Sequence, residues 1–407
     1  MRISRRGLLG TATAAAVPVL SARAQVPTIK IGVLGDESGV YRDTSGPTSV
    51  AAVRLAVAEF KAAGHGINIE VIVGDHQNKP DLGVSIAQQW IDRDGVDMIT
   101  DCPNSAVALA VAGVCKAKDR VFINSGAAIA DLTGKSCAPT TVHWTYDTWM
   151  LAHSTGGAMV KAGGDKWFFI TADYAFGHAL QNDTTTFIKA QGGKVLGSVA
   201  VPLGTTDFSS YLLQAQASGA NVIGFANAGG DAVNSIKQAG EFGITSKGVK
   251  LAGMLVFITD VHALGLQVAQ GLVVSNTFYW DHDDRTRAFT KRLLPTTNGI
   301  YPNMSQAGCY SGTLHYLKAC MAMGVAAAKK SGTATVNQMK KMPTEDDAFG
   351  PGTVREDGRV LHPVYLYQVK TPAESKQPWD TYKLVTTTPA AEGFRPLNEG
   401  GCSFVKA

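Results

Sequence analysis

Short apolar runs rich in Val and Ile alternate with amphipathic stretches from residue 29 to residue 255, and that order leaves few folds open. Segments 29–34, 68–73, 96–100 and 120–124 read as strands. Between them, 47–63, 80–93 and 104–117 read as helices. Pro47 and Pro80 sit near two of the helix starts, where a missing N–H does no harm. After a pause at 125–147 the pattern restarts, with helices over 148–162, 177–191, 207–218 and 229–242. The strands of this second run fall at 166–171, 194–200, 221–226 and 250–255. Each strand–helix–strand step makes its strands parallel and lays a helix on the sheet. The expectation is an α/β chain with two doubly wound parallel-sheet lobes. Its 407 residues exceed the ~100–150 of a common single domain, so two cores fit. Further on, 272–279 reads as a strand and 303–328 as mostly helix. Segment 361–369 alternates like an antiparallel strand, with Pro363 marking it as an edge.

The formal charge of +4 misleads. Residues 1–24 hold Arg2, Arg5, Arg6 and Arg23 and no acid; without these four, the 37 basic residues fall to 33, against 33 acidic ones. No basic face is expected, and therefore no nucleic-acid partner. The same 24 residues read as a signal peptide: arginines, a small apolar run to Leu20, then Ala22-Arg23-Ala24 before the cut near Ala24. The Arg5-Arg6 pair followed by Leu8-Leu9 favours a twin-arginine signal over a general secretory one. The apolar run falls short of the ~20 residues a membrane anchor needs. An exported, periplasmic protein follows.

Six cysteines could pair in an oxidising compartment, and their connectivity stays open. Cys309 and Cys320 share one predicted helix, ~16 Å apart, which is too far for a mutual bond. No C-x-x-C pair or clustered histidines suggest a metal. Neither a dinucleotide fingerprint nor a phosphate loop follows a strand. Gly308-Cys309-Tyr310-Ser311-Gly312 lacks the spacing of a hydrolase elbow. The oxygen-rich run 280–284 reads as a solvated loop. No catalytic residue, cofactor or metal is expected, and the chain is read as a non-enzyme.

Several segments stand in a telling order: "IKIGVLGDESGVY" at 29–41, "VIVGDHQNKPDLGVSIAQQWI" at 71–91, "DCPNSAVALAVAGV" at 101–114, "INSGAAIADLTG" at 123–134, "TADYAFGHAL" at 171–180, and "TTDFSSYLLQAQASGANVIGFANAGGDAVNSIKQAGEFGI" at 205–244. Together they resemble the branched-chain amino-acid binding proteins of ABC transporters, the type I periplasmic binding proteins, over nearly the whole mature chain. The resemblance implies a two-lobed clamp with a three-crossover hinge. Lobe one would hold 26–143 and 277–353, and lobe two 146–274 and 356–400. It also implies a small-molecule ligand, a permease partner in the inner membrane and a monomer. A twin-arginine-exported oxidoreductase and a ligand sensor using the same clamp are the alternatives.

Open parallel sheets bind ligands beyond the carboxyl ends of their strands. The candidates are therefore the loops that follow strands. After the first come Tyr41, an aromatic with a polar tip, and Arg42, a possible carboxylate partner. Asn104 and Ser105 open a helix after the third, where free N–H groups and the dipole favour an anion. Ser125, Gly126 and Ala127 follow the fourth. The family's hydroxyl there is replaced by alanine at Ala128, which leaves backbone groups and Ser125. In lobe two, one of Tyr174 and Phe176 is expected to face the cleft. Asn227 opens a glycine-rich loop where the family often has an aromatic, which suggests a roomier or more polar pocket. Phe257 lies beyond Leu255, which stands where the family places an acid for the ligand's ammonium group. A buried ammonium without an anion is costly. The ligand is thus read as a small carboxylate, aromatic acid or amino-acid-like compound, with those lacking an α-ammonium favoured.

Overall fold

The computed structural model describes residues 27–405, so the signal peptide read at 1–24 lies outside the described residues. The first sheet is wholly parallel, with strands β1 (Thr28–Gly35), β2 (Asn68–Asp75), β3 (Met98–Asp101), β4 (Val121–Asn124) and β5 (Thr141–His143) in the order β2-β1-β3-β4-β5. The second is also parallel, with β6 (Lys166–Ala172), β7 (Lys194–Val201), β8 (Val222–Ala226) and β9 (Lys250–Gly253) in the order β7-β6-β8-β9. In both, the first strand lies inside and the chain winds outward both ways. The strand order therefore reverses at β1 and at β6. Central strands are apolar on both faces: Ile29, Ile31, Val33 and Leu34 of β1 are all fully buried. The edge strand β7 instead alternates half-buried and exposed residues. Close backbone approach matters at Gly32, where a Cβ would stand 2.5 Å from the Trp90 ring that covers β1.

Strand β10 (Val273–Asn276) follows, then helices Asp284–Leu293, Met304–Met323 and Gly332–Lys341. The long helix Met304–Met323 packs against Gly46–Ala62, so the chain has returned to the first sheet. The small ribbon of β11 (Thr353–Val354) and β12 (Val360–Leu361) leads out again. Strands β13 (Val364–Val369) and β14 (Tyr382–Thr388) then join β10 in an antiparallel sheet ordered β10-β13-β14.

Two strand readings need correction. The strand after Pro363 is central, not an edge. Pro363 stands just before the ladder begins at Val364, so its missing N–H removes no sheet bond. The edges are β10 and β14, the latter with Leu384 and Val385 exposed. The pause at 125–147 hides β5, whose three residues are too short to show a period.

The segment after β5 meets the end of the ribbon around one buried cation. Arg359 is fully buried and pairs with Asp147 at 3.2 Å. Its guanidinium also donates to the Thr145 and Val360 carbonyls and lies over the Phe394 ring. The His143 amide donates to Gly358 O at 2.9 Å, which ties the same two segments through their backbones.

Of the six cysteines, Cys137 and Cys402 form a disulfide with Cα atoms 5.6 Å apart. The other four are free and buried, with Cys309 and Cys320 on one helix as read. The bridge fixes the tail beyond β14 to the loop before β5. Replacing both bridging cysteines by serine should lower unfolding stability by about 2–4 kcal/mol. Chemical denaturation measures it; an unchanged midpoint would show the tail to be held by its other contacts alone.

Candidate ligand-binding cleft

The carboxyl ends of the two parallel sheets face each other across a narrow, nearly closed cavity of about 10 Å³. From the first sheet come Tyr41 and Thr44 beyond β1, Pro103 beyond β3, and Gly126 and Ala128 beyond β4. Tyr146, just past β5, closes one side. From the second come Tyr174 and Phe176 beyond β6, Ala228 beyond β8, and Leu255 and Phe257 beyond β9. Five of these side chains are aromatic, and none carries a charge. Tyr146 and Phe257 meet edge to face with centroids 5.6 Å apart. The polar atoms are mostly phenolic. Tyr146 donates to Gly126 O, and the Tyr41 and Tyr174 hydroxyls meet across the cleft at 2.6 Å. Burial, reinforced by neighbouring acids, raises the pKa of all three phenols, so they remain protonated.

Of the residues singled out in the sequence, Tyr41, Gly126, Tyr174, Phe176 and Phe257 line this cavity. Both Tyr174 and Phe176 do so, where one was expected. Ser105 lies at the start of helix Ser105–Ala117, two residues from Pro103; its hydroxyl is buried without a partner. The remaining residues are engaged elsewhere. Asn104 caps that helix, its Oδ1 accepting from the Ala106 and Val107 amides at 3.0 and 3.2 Å. Ser125 donates to Ser305 O at 2.5 Å, and the Ala127 amide donates to Asn124 Oδ1 at 3.1 Å. Asn227 donates to Ser235 Oγ at 3.1 Å. Arg42 is half exposed and pairs with Asp43 at 2.8 Å, which also occupies that acid.

The glycine-rich loop after β8 does not make the pocket roomier. A Cβ on Gly229 would come within 2.6 Å of Val40 O and 3.0 Å of the Tyr41 ring, so the opposite lobe fills that space. The Gly230 amide donates to Val40 O at 3.1 Å, a second link across the cleft. Gly229 also has φ +57°, which glycine adopts without strain. Thr44, Pro103, Ala128, Tyr146, Ala228 and Leu255 complete the wall without having been singled out as binding residues. Ala128 and Leu255 had been placed only as departures from the family's ligand contacts, and Tyr146, an aromatic following a strand, was missed because that strand was the one hidden in the pause.

Three buried carboxyls stand behind the wall. Asp101 accepts from Ser45 Oγ at 2.6 Å and leaves Oδ1 unpartnered; Gly126 could not carry a Cβ without meeting that oxygen at 2.7 Å. Asp260 accepts from the Phe257 amide at 2.9 Å, and Asp231 from the Gly204 amide at 3.1 Å. Burial raises Asp101 and Asp260 to about 7 and Asp231 to about 6, their amide and hydroxyl donors offsetting only part of that cost. Asp101 also has φ +85°, an uncommon conformation for a residue with a side chain.

An acid raised in the native state binds its proton more tightly there than in the unfolded chain. The stability it lends is full at low pH and is lost as pH climbs from about 4 through about 7. Asp101→Asn cannot ionise. It should lose less stability than the wild type between about pH 5 and about pH 8 in urea unfolding. Parallel losses in the two proteins would show that Asp101 ionises at an ordinary pH.

The chain belongs to the periplasmic binding protein family, whose model matches residues 28–377. It is a solute-binding protein of the ABC-transporter type. A periplasmic binding protein from Burkholderia mallei is 47% identical, with a TM-score of 0.89 over 93% of this chain and 99% of that one. A branched chain amino acid ABC transporter periplasmic ligand-binding protein from Burkholderia xenovorans is 38% identical, with a TM-score of 0.80 over 92% of this chain and 99% of that one. At 23% identity, a solute-binding protein from R. palustris in complex with 4-hydroxybenzoate shares the fold, with a TM-score of 0.80 over 90% of this chain and 99% of that one. The relatives are binding proteins, which speaks against the oxidoreductase alternative. Among the described residues no helix is long and apolar enough to cross a membrane.

Proposed function

We propose that this protein captures a small aromatic carboxylic acid between its lobes and delivers it to an inner-membrane ABC permease. The observation that carries this reading is a cavity wall of five aromatic side chains and no charged one. An aromatic ring packs against such walls by stacked or edge contacts once the lobes part to admit it. A carboxylate has its anchor at the start of helix Ser105–Ala117, where the unpartnered Ser105 hydroxyl and the helix dipole favour an anion. Leu255 in the wall leaves an α-ammonium group without a facing carboxylate. The complex of the R. palustris protein supports the ligand class as one that this fold accepts.

In this proposal the lobes divide as 26–143 with 277–353 and 146–274 with 356–400. The protein works as a monomer in the periplasm after cleavage near Ala24. An amino acid is the second reading, favoured by Asp231 and Asp260, buried carboxyls close behind the wall with no cationic partner. Transport is preferred to sensing on the strength of the transporter relatives.

Calorimetry decides the ligand class. Benzoate, 4-hydroxybenzoate and 3-phenylpropionate should bind more tightly than phenylalanine, leucine or valine. Tight binding of the amino acids with none of the deaminated acids would reverse the order of the two readings. Ser105→Ala should weaken whichever acid binds by roughly 0.5–3 kcal/mol. Wild-type affinity in that variant would remove Ser105 from the site.

A further inference from the structure

We propose that Asp36 is the positioning residue of a latch that holds the two lobes shut. The latch is the Val40–Tyr41 tip docked on Gly229, Gly230 and Tyr174. The inference rests on reading this cleft as a closing ligand site, and it adds what sets the tip's shape.

Asp36 follows β1 and is fully buried. Its Oδ1 accepts from the Gly39 amide at 2.7 Å, and its Oδ2 from the Tyr41 amide at 2.9 Å. Oδ2 also accepts from Asn78 Nδ2 at 2.6 Å, which braces the carboxylate from the loop after β2. One side chain thus folds residues 36–41 into a turn around itself, as aspartate does at loop starts. The base of the same loop is held separately. Asn303 donates to Thr44 O at 3.1 Å, and Gln306 donates to Asp43 O at 3.1 Å and to Ser45 O at 3.3 Å. The base is therefore fixed to the first lobe's long helix. Asp75 holds the first part of the tip, accepting from the Glu37 amide at 3.3 Å and the Ser38 hydroxyl at 2.7 Å, and Asp36 sets the Gly39–Tyr41 part that reaches the other lobe.

What the tip presents is specific to the other lobe. Val40 offers its carbonyl to the Gly230 amide, and Tyr41 offers its hydroxyl to Tyr174. Gly229 has no side chain because Val40 O and the Tyr41 ring lie on it. A flat acceptor surface and a stiff tip form a complementary pair. The turn at Gly229, with φ +57°, also calls for glycine on its own account. Without Asp36, the Gly39 and Tyr41 amides lose their acceptor, and the tip samples other turns while the base stays in place.

Hydrogen exchange at the Gly230 amide reads the latch directly. It is measured on the wild type as purified and with 4-hydroxybenzoate or leucine added. Asp36→Ala should speed exchange at Gly230 by about tenfold or more, with β1 and β3 amides unchanged. Asp36→Asn keeps one carbonyl acceptor and should fall between the two. Tyr174→Phe, which removes the landing hydroxyl from the other lobe, should also speed Gly230 exchange, and adding it to Asp36→Ala should do little more. If Asp36→Ala does not fold, Asn78→Ala, which removes only the brace, serves in its place. Unchanged Gly230 exchange in these variants would overturn the proposal. So would β1 and β3 amides that accelerate in step, because Asp36 would then merely support its lobe. A Gly230 amide unprotected in the wild type under every condition would overturn the latch itself. If Gly230 is protected yet neither added compound binds by calorimetry, the latch stands and the ligand reading fails.

Discussion

The arrangement of the molecule depends on one buried guanidinium. Arg359 sits where the segment leaving β5 meets the turn between the two ribbon strands. Its donors are spent on Asp147 and on the Thr145 and Val360 carbonyls, with Phe394 against its face. A charge at this depth is tolerable only when paired and fully hydrogen-bonded. That requirement fixes both segments relative to each other, since displacing either would strand the cation or Asp147. Burial lowers the Arg359 pKa to about 10, which still leaves it charged at neutral pH. Tyr146 follows Thr145 directly, so the same anchor sets one wall of the cavity. The crossing and the cavity wall are thereby built from consecutive residues.

The cleft combines two kinds of surface. Its wall is aromatic and uncharged, which suits a flat apolar body. Behind it stand Asp101, Asp231 and Asp260, each tied to a hydroxyl or an amide and none to a cation. Such acids, buried without a cation, make the surroundings of the wall selective for charge. Polar groups left partly unsatisfied are uncommon in cores and gather at working sites. The strained φ of Asp101 and the unpartnered Ser105 hydroxyl lie four residues apart on the same loop. The end of β3 is thus the most constrained edge of the cavity.

The two sheets were legible because each parallel step needs an apolar strand and a covering helix, and both leave a period in the sequence. The loops after β1, β6 and β9 could be named for the same reason, and Tyr41, Tyr174, Phe176 and Phe257 followed. What stayed hidden was long-range. Gly229 reads locally as open space, and only the approach of Val40 from the other lobe reverses that meaning. Asn104, Ser125 and Asn227 are polar residues in the right loops, but their capping and packing partners cannot be seen from spacing alone. β14 exposes Leu384 and Val385 and lacks the alternation that marks a half-buried strand. The charged helix Asp284–Leu293 shows its capping aspartate but little apolar stripe.

The Cys137–Cys402 bridge spans 265 positions of sequence, a stretch that takes in nearly all of the second sheet and the return through the first lobe. Topologically the molecule is a large covalent ring with one long tail and one short one. A protease that cuts a single exposed loop inside that ring cannot divide the protein in two. The nicked chain keeps both halves joined, with the noncovalent cores still in register to hold their shape. Only a second cut in the ring, or reduction of the bridge, would let a fragment leave. The exposed connections of the second lobe therefore have a tolerance to damage that the segment ahead of Cys137 does not share.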